Sequence, residues 1–237
     1  MPWYYTTSGE ANIRVVFSDG ITAIDAYMFK ATAGNSRILS ISMPDSVTTI
    51  GSEAFMNCSK IKEIAFSKNV TALNKCLTGC TSIQTLTLPI NIDATTFGVQ
   101  VNTIKTLNFF NGGKAGASYT SNTCKSQIWY NSSNYAVTFE DGITSIGSGM
   151  RLSATGSVVI PASVLSIGSM AFYGAPMTSL TLSEGLLTIG DQAFANCLGL
   201  QSAIIPNSIR EIGQSAFQGC TALNSIQMPI TVDYSKD

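Results

Sequence analysis

Of the residues in this 237-residue chain, the six cysteines are the ones whose type is best suited to chemistry. Cys58, Cys80, Cys197 and Cys220 occupy one and the same slot of a recurring phrase, so their placement has a structural cause to begin with. A zinc site would need close ligand pairs such as Cys-x-x-Cys. The nearest spacing here is Cys76 to Cys80, and the chain has no histidine to complete a set. Cys58 with Cys80, or Cys197 with Cys220, would stand close enough to bridge if the repeats stack. Stacked parallel side chains seldom present disulfide geometry, however. A free cysteine is a small, commonly buried apolar residue, and that reading accounts for the four best. The redox state of these four, of Cys76 and of Cys124 does not follow from the sequence.

The absence of histidine removes the most frequent general base and excludes a Ser-His relay. Carboxylates occur in pairs that suit acid–base work, Glu140 with Asp141 and Glu10 with Asp19. Glu140 and Asp141 adjoin Gly142, which marks a solvated turn instead. The stretch Asn111–Gly112–Gly113–Lys114 lacks the glycine-lysine spacing of a phosphate loop. The expectation is a chain with no catalytic residue, no cofactor and no metal.

Thirteen basic residues are scattered among fourteen acidic ones, for a net charge of −1. Nucleic-acid binding needs clustered Lys and Arg, and an anionic membrane surface needs a polybasic segment; neither is present. Only 11% of residues are charged, against a usual ~25%. The polar surface must therefore be Ser, Thr, Asn and Gln. No apolar run approaches the ~18 residues of a membrane span. Met1–Pro2–Trp3–Tyr4–Tyr5 opens with neither a basic nor an apolar signal-peptide region, which leaves secretion unsettled.

What must position these residues is a repeat. Ile189–Gly190–Asp191–Gln192–Ala193–Phe194–Ala195–Asn196–Cys197 is restated at Ile167–Phe172, Ile212–Cys220 and Ile50–Cys58, and more loosely at Ile24–Phe29. Each unit of 22–23 residues opens on an alternating apolar–polar run such as Ile38–Leu39–Ser40–Ile41–Ser42, a strand period that Pro44 ends. A short Val-x-x-Ile-Gly piece follows, and the Ala-Phe segment is predicted to form one turn of helix. Glycine after the isoleucine implies a corner where a Cβ would clash or φ is positive. Stacked units would bury what a single unit cannot, with Phe55, Phe172, Phe194 and Phe217 in one interior file and Ile50, Ile146, Ile167, Ile189 and Ile212 in another.

One solenoid domain is expected over residues 1–237: a cap at 1–13, a first repeat block at 14–110, an irregular coil or insertion at 111–134, a second block at 135–230 and a tail at 231–237. The phrase at Tyr135–Ile146 resembles Arg14–Ile24 at an offset of 122 residues, which suggests two related halves. The tail has no obvious cap, which suggests truncation or a partner covering the last coil.

The unit Val-x-x-Ile-Gly-x-x-Ala-Phe-x-x-Cys-x-x-Leu resembles the BspA-like, or Treponema pallidum type, leucine-rich repeat family from about residue 15 to 230. Departures are Leu73–Thr78, which loses Gly and Ala-Phe, the stretch 90–134, and Ala175 in a cysteine slot; distorted coils are expected there. The resemblance implies an α/β solenoid, a right-handed curved stack of parallel short strands with one-turn helices. It also implies a surface or secreted protein that adheres to host proteins, cells or glycans, with no catalytic residue.

The outward strand positions are then the candidate binding face: Thr85, Thr87, Thr106, Asn108, Thr138, Ser179, Thr181, Ser202, Ile204, Ser225 and Gln227, with Ser40, Ser42, Glu63, Ala65 and Ala136 beside them. Short uncharged side chains make a flat, weakly polar sheet, which is either plain solvated surface or a broad contact area. Tyr119, Trp129, Tyr130 and Tyr135, in or near the irregular coil, are candidate anchors, as aromatics often are. The expected partner is a protein or glycan on another cell or matrix. The competing expectation is a structural unit whose array ends stack on copies of itself or on a larger particle.

Overall fold

The computed structural model describes residues 13–32, 37–90, 92, 103–110 and 134–229. The chain winds as a parallel β-solenoid. Front strands are β1 (Ile13–Val16), β3 (Ile38–Ser42), β5 (Glu63–Ala65), β6 (Thr85–Pro89), β7 (Thr106–Phe110) and β8 (Ala136–Phe139), which form one six-stranded sheet in that order. A second front sheet holds β10 (Gly156–Ile160), β12 (Met177–Leu182), β14 (Ser202–Ile204) and β16 (Ser225–Gln227). The short Val-x-x-Ile pieces pair behind them. There β2 (Ala23–Ile24) joins β4 (Thr49–Ile50), and β9 (Ser145–Ile146), β11 (Ser166–Ile167), β13 (Thr188–Ile189) and β15 (Glu211–Ile212) form a four-stranded sheet. Among the described residues all pairings are parallel and, apart from slips at Ile13 and Gly156, in register, so residue types repeat in columns up the stack.

Period-two alternation sets which side of each front strand is buried. Ile41, Ile64, Leu86, Leu107, Val137, Val158, Leu180 and Ala203 point inward and are buried. The expected isoleucine file holds in two segments, Ile24 against Ile50 and Ile146–Ile167–Ile189–Ile212. The aromatic file is corrected: it is two columns. Phe55 stacks on Phe29 at 5.4 Å, and Phe29 meets Phe17 edge-on. Phe172, Phe194 and Phe217 stack at 5.3 and 5.2 Å in a separate column that also takes in Phe139 and Phe109. Buried Leu77 stands where the motif would place a phenylalanine.

The expected one-turn helices are not formed, and among the described residues there is no α-helix. The segment Gly51–Cys58 is a run of turns in which alternate amides serve two purposes. Those of Ala54, Met56 and Cys58 bond locally to the carbonyls of Gly51, Glu53 and Phe55, at 3.3, 3.0 and 3.1 Å. Those of Glu53, Phe55 and Asn57 bond to Asn74, Cys76 and Thr78 of the next coil. A helix would keep its amides to itself; here half of them tie the coils together. The backbone achieves this by turning left-handed every fourth residue, at Glu53 and Asn57 (φ 57° and 61°) and again at Gln192 and Asn196 (φ 54° and 59°). The departing coil at Leu73–Cys80 keeps the same turn pattern, with Lys75 and Gly79 left-handed, although its second strand shrinks to a single bridge at Ala72.

The motif glycines are explained by close approach. None of Gly51, Gly168, Gly190 or Gly213 has positive φ. A Cβ on Gly190 would lie 2.5 Å from the Ser169 amide nitrogen, and one on Gly213 would run into Asp191. Backbone sits against backbone at this corner.

Candidate functional site

Register aligns the outward residues of the front strands into rows. On the first sheet Val16, Ser42, Ala65, Thr87, Asn108 and Thr138 form one row, and Arg14, Ser40, Glu63, Thr85, Thr106 and Ala136 the other. On the second sheet Val159, Thr181, Ile204 and Gln227 align, with Ser157 beside Ser179 and Ser202 beside Ser225. The predicted positions therefore gather into two groups. Thr85, Thr87, Thr106, Asn108 and Thr138 share the first sheet. Ser179, Thr181, Ser202, Ile204, Ser225 and Gln227 share the second.

Side chains on the first group fix one another. Asn108 Nδ2 donates to Thr87 Oγ1 at 3.1 Å, and Thr138 Oγ1 donates to Asn108 Oδ1 at 2.7 Å. A relay across three strands sets the amide's orientation. The second sheet sets exposed apolar side chains among its hydroxyls, Ile204 at 60% and Val159 at 53%, while the first sheet has Val16 exposed at its end. Val159 and Ser157 escape the sequence reading because Val158–Val159 blurs the alternation. Of the charged residues only Arg14 and Glu63 fall in these rows, so the face offers hydroxyl, amide and methyl groups for contact, with little charge.

The aromatic anchors fare differently. Tyr119, Trp129 and Tyr130 lie outside the described residues. Tyr135 is buried, and its hydroxyl accepts the Ser153 amide at 3.0 Å. The expectation that it anchors a ligand is corrected: it fills the core.

The cysteines among the described residues serve packing, and Cys124 lies outside those residues. Cys58, Cys76, Cys80, Cys197 and Cys220 are free thiols, all buried except half-buried Cys220. Each cysteine of the shared slot donates its thiol to the carbonyl of the residue at the phenylalanine position of the preceding coil: Cys58 to Phe29, Cys80 to Phe55, Cys197 to Phe172 and Cys220 to Phe194, at 3.1–3.3 Å. Burial, with Cys58 nearby, pushes the Cys80 thiol up to about 12. Burial likewise raises Cys76, with Cys80 adding to it. Such thiols stay protonated and unreactive at neutral pH. Ala175 takes the slot in its coil and is equally buried. Among the described residues no three His, Cys, Asp or Glu side chains converge as metal ligands, and no helix is long and apolar enough to cross a membrane.

The model of the BspA type leucine rich repeat region matches six copies, over residues 8–114 and 151–237. The chain belongs to the BspA-type leucine-rich repeat family. Residues 115–150, between the matched stretches, include β8 and β9, which continue the same ladders. No curated protein matches the chain. Solved structures similar to this BspA-type chain include a leucine-rich repeat protein from Bacteroides ovatus, 19% identical, covering 92% of this chain and 67% of that one at TM-score 0.45. The T. pallidum leucine-rich repeat protein is 21% identical over 91% of this chain and 79% of its own, at TM-score 0.32. A leucine-rich cell surface protein from Faecalibacterium prausnitzii is 20% identical over 98% and 90%, at TM-score 0.30.

Proposed function

We propose that this BspA-type chain is a non-catalytic recognition module, exposed at the cell surface or secreted, that adheres to a protein or glycan ligand through its outward strand face. The observation that carries this reading is the second-sheet row, where Ile204 and Val159 stand largely exposed on either side of Thr181 within a hydroxyl-rich surface. Apolar side chains held out on a rigid, uncharged sheet gain most when a partner covers them. Support also comes from the repeat architecture, whose extended faces are commonly used for contact. The coil is read as right-handed, since parallel crossovers are right-handed nearly always, and as curved on the resemblance to the family alone. Host proteins, matrix proteins and glycans are the ligands to screen.

The test is a panel of immobilised matrix proteins and glycans probed with three chains. Wild type should bind one or more members. Ile204→Glu, which puts a charge at the centre of the row, should weaken that binding at least about tenfold, the effect of losing one well-placed apolar contact. Gln218→Lys, on the exposed turn side, should leave it within about twofold. Equal effects of the two substitutions, or no binding by wild type across the panel, would overturn the reading.

A further inference from the structure

Between the β8 coil and the β10 coil the stacking is irregular at the front, in the turn segment and in the core. On the front, β8 and β10 are neighbours, yet the junction carries a single bridge, Tyr135 to Ala154, in place of a ladder. Other front steps are joined by two to five paired residues, four or five from β6 through β8, five between β10 and β12, and two between β12 and β14. On its other side β10 pairs with β12 after a one-residue slip at Gly156, which is left-handed at φ 71°; the β1–β3 pairing slips likewise at Ile13.

In the turn segment the hydrogen bonds also fall out of step. The amides of Gly149, Arg151 and Leu152 reach the carbonyls of Ser169, Met170 and Ala171. One coil later the amides of Met170, Phe172 and Gly174 reach Asp191, Ala193 and Ala195 in regular alternation. The core shows the same fault. Phe139 meets Phe172 edge-on at 6.1 Å and 78°, whereas the pairs on either side, Phe109–Phe139 and Phe172–Phe194, are stacked at 5.7 and 5.3 Å. Only the back sheet crosses the junction in register, with Ser145 opposite Ser166 and Ile146 opposite Ile167.

We infer that this junction is a hinge: the coils before and after it pivot about the β9–β11 strand pair, so the two front sheets change their mutual angle while each keeps its rows fixed. In a stack each coil is held only by its neighbours, so motion concentrates where the front ladder is reduced to a bridge. Close packing elsewhere prevents the bend from spreading. The Thr87–Asn108–Thr138 relay and the Thr181–Ile204–Gln227 row become two platforms that adjust to each other.

Hydrogen exchange on the full chain tests this. Residues 156–160 should exchange at least about tenfold faster than 106–110 and 177–182, while 164–168 stay as slow as 186–190. A disulfide between Asn134→Cys and Ser153→Cys, whose present side chains meet at 3.3 Å across the front of the junction, should bring 156–160 to the rate of 177–182. Uniform protection from β6 through β14 in the wild-type chain would overturn the hinge. So would loss of protection at 164–168 together with 156–160, which would mean a melted coil, or a staple that forms by mass and leaves the exchange unchanged.

Discussion

Replacing Phe194 by alanine is expected to destabilise the protein by about 3–5 kcal/mol, seen as a fall in the urea midpoint with little change in slope. The ring is fully buried and stacked on both sides, against Phe172 at 5.3 Å and Phe217 at 5.2 Å. Truncation leaves a cavity in the middle of the column, and the flanking rings cannot close it because each is fixed by its own coil. Through its backbone the same residue donates to the Ala216 carbonyl and accepts from the Cys197 amide and the Cys220 thiol, contacts that the substitution leaves in place. The loss therefore reports side-chain packing alone.

Gly190→Ala is the second large effect, expected at about 3 kcal/mol, the upper end of what overpacking costs. The added methyl would stand 2.5 Å from the Ser169 nitrogen and 2.8 Å from the Gly168 carbonyl carbon. Both are backbone atoms, so no rotamer relieves the clash and the coils must part. Gly20→Ala is the contrast. Its Cβ meets nothing within 4 Å, but φ is 93°, so the cost is conformational and about 1–2 kcal/mol. A Gly190 variant no worse than the Gly20 variant in a urea titration would show that the corner is not a contact between backbones.

How much of this was legible in the sequence differs from one part of the repeat to another. The period and the strands were plain, because alternation such as Ile38–Ser42 and the terminating Pro44 are local signals with a local cause. The turn segment was misread. A short Ala-Phe phrase between polar residues looks like a helix turn, and nothing in Glu53, Gln192 or Ser215 marks them as left-handed, although all three have φ between 54° and 57°. Asn57 and Asn196, with Gly79, Gly174 and Gly219 in the same slot, did carry the signal: asparagine and glycine are the residues that tolerate that conformation. What decides against the helix is the neighbouring coil, which accepts every second amide, and a neighbour cannot be seen in a single unit.

The outward positions were readable from the same alternation, down to the Thr87, Asn108 and Thr138 that hydrogen-bond across the sheet. Tyr135 was not. Its place beside an irregular stretch suggested exposure, whereas it packs inward where the front ladder lapses and caps the Ser153 amide. The departure at Leu73–Thr78 had less effect than its lost glycine and phenylalanine implied. Leu77 fills the core in place of the ring, and the turn bonds depend on backbone alone.

The most direct probe of the shared interior is a pair of double-mutant cycles in urea denaturation. If coils lie on one another, Phe172→Ala and Phe194→Ala should couple by about 0.5–1.5 kcal/mol, as stacked rings do. Phe55→Ala and Phe194→Ala, in different columns, should add to within about 0.5 kcal/mol. Additivity in both cycles, or equal coupling in both, would mean that Phe172 and Phe194 are not neighbours in a column and that the solenoid is wrong.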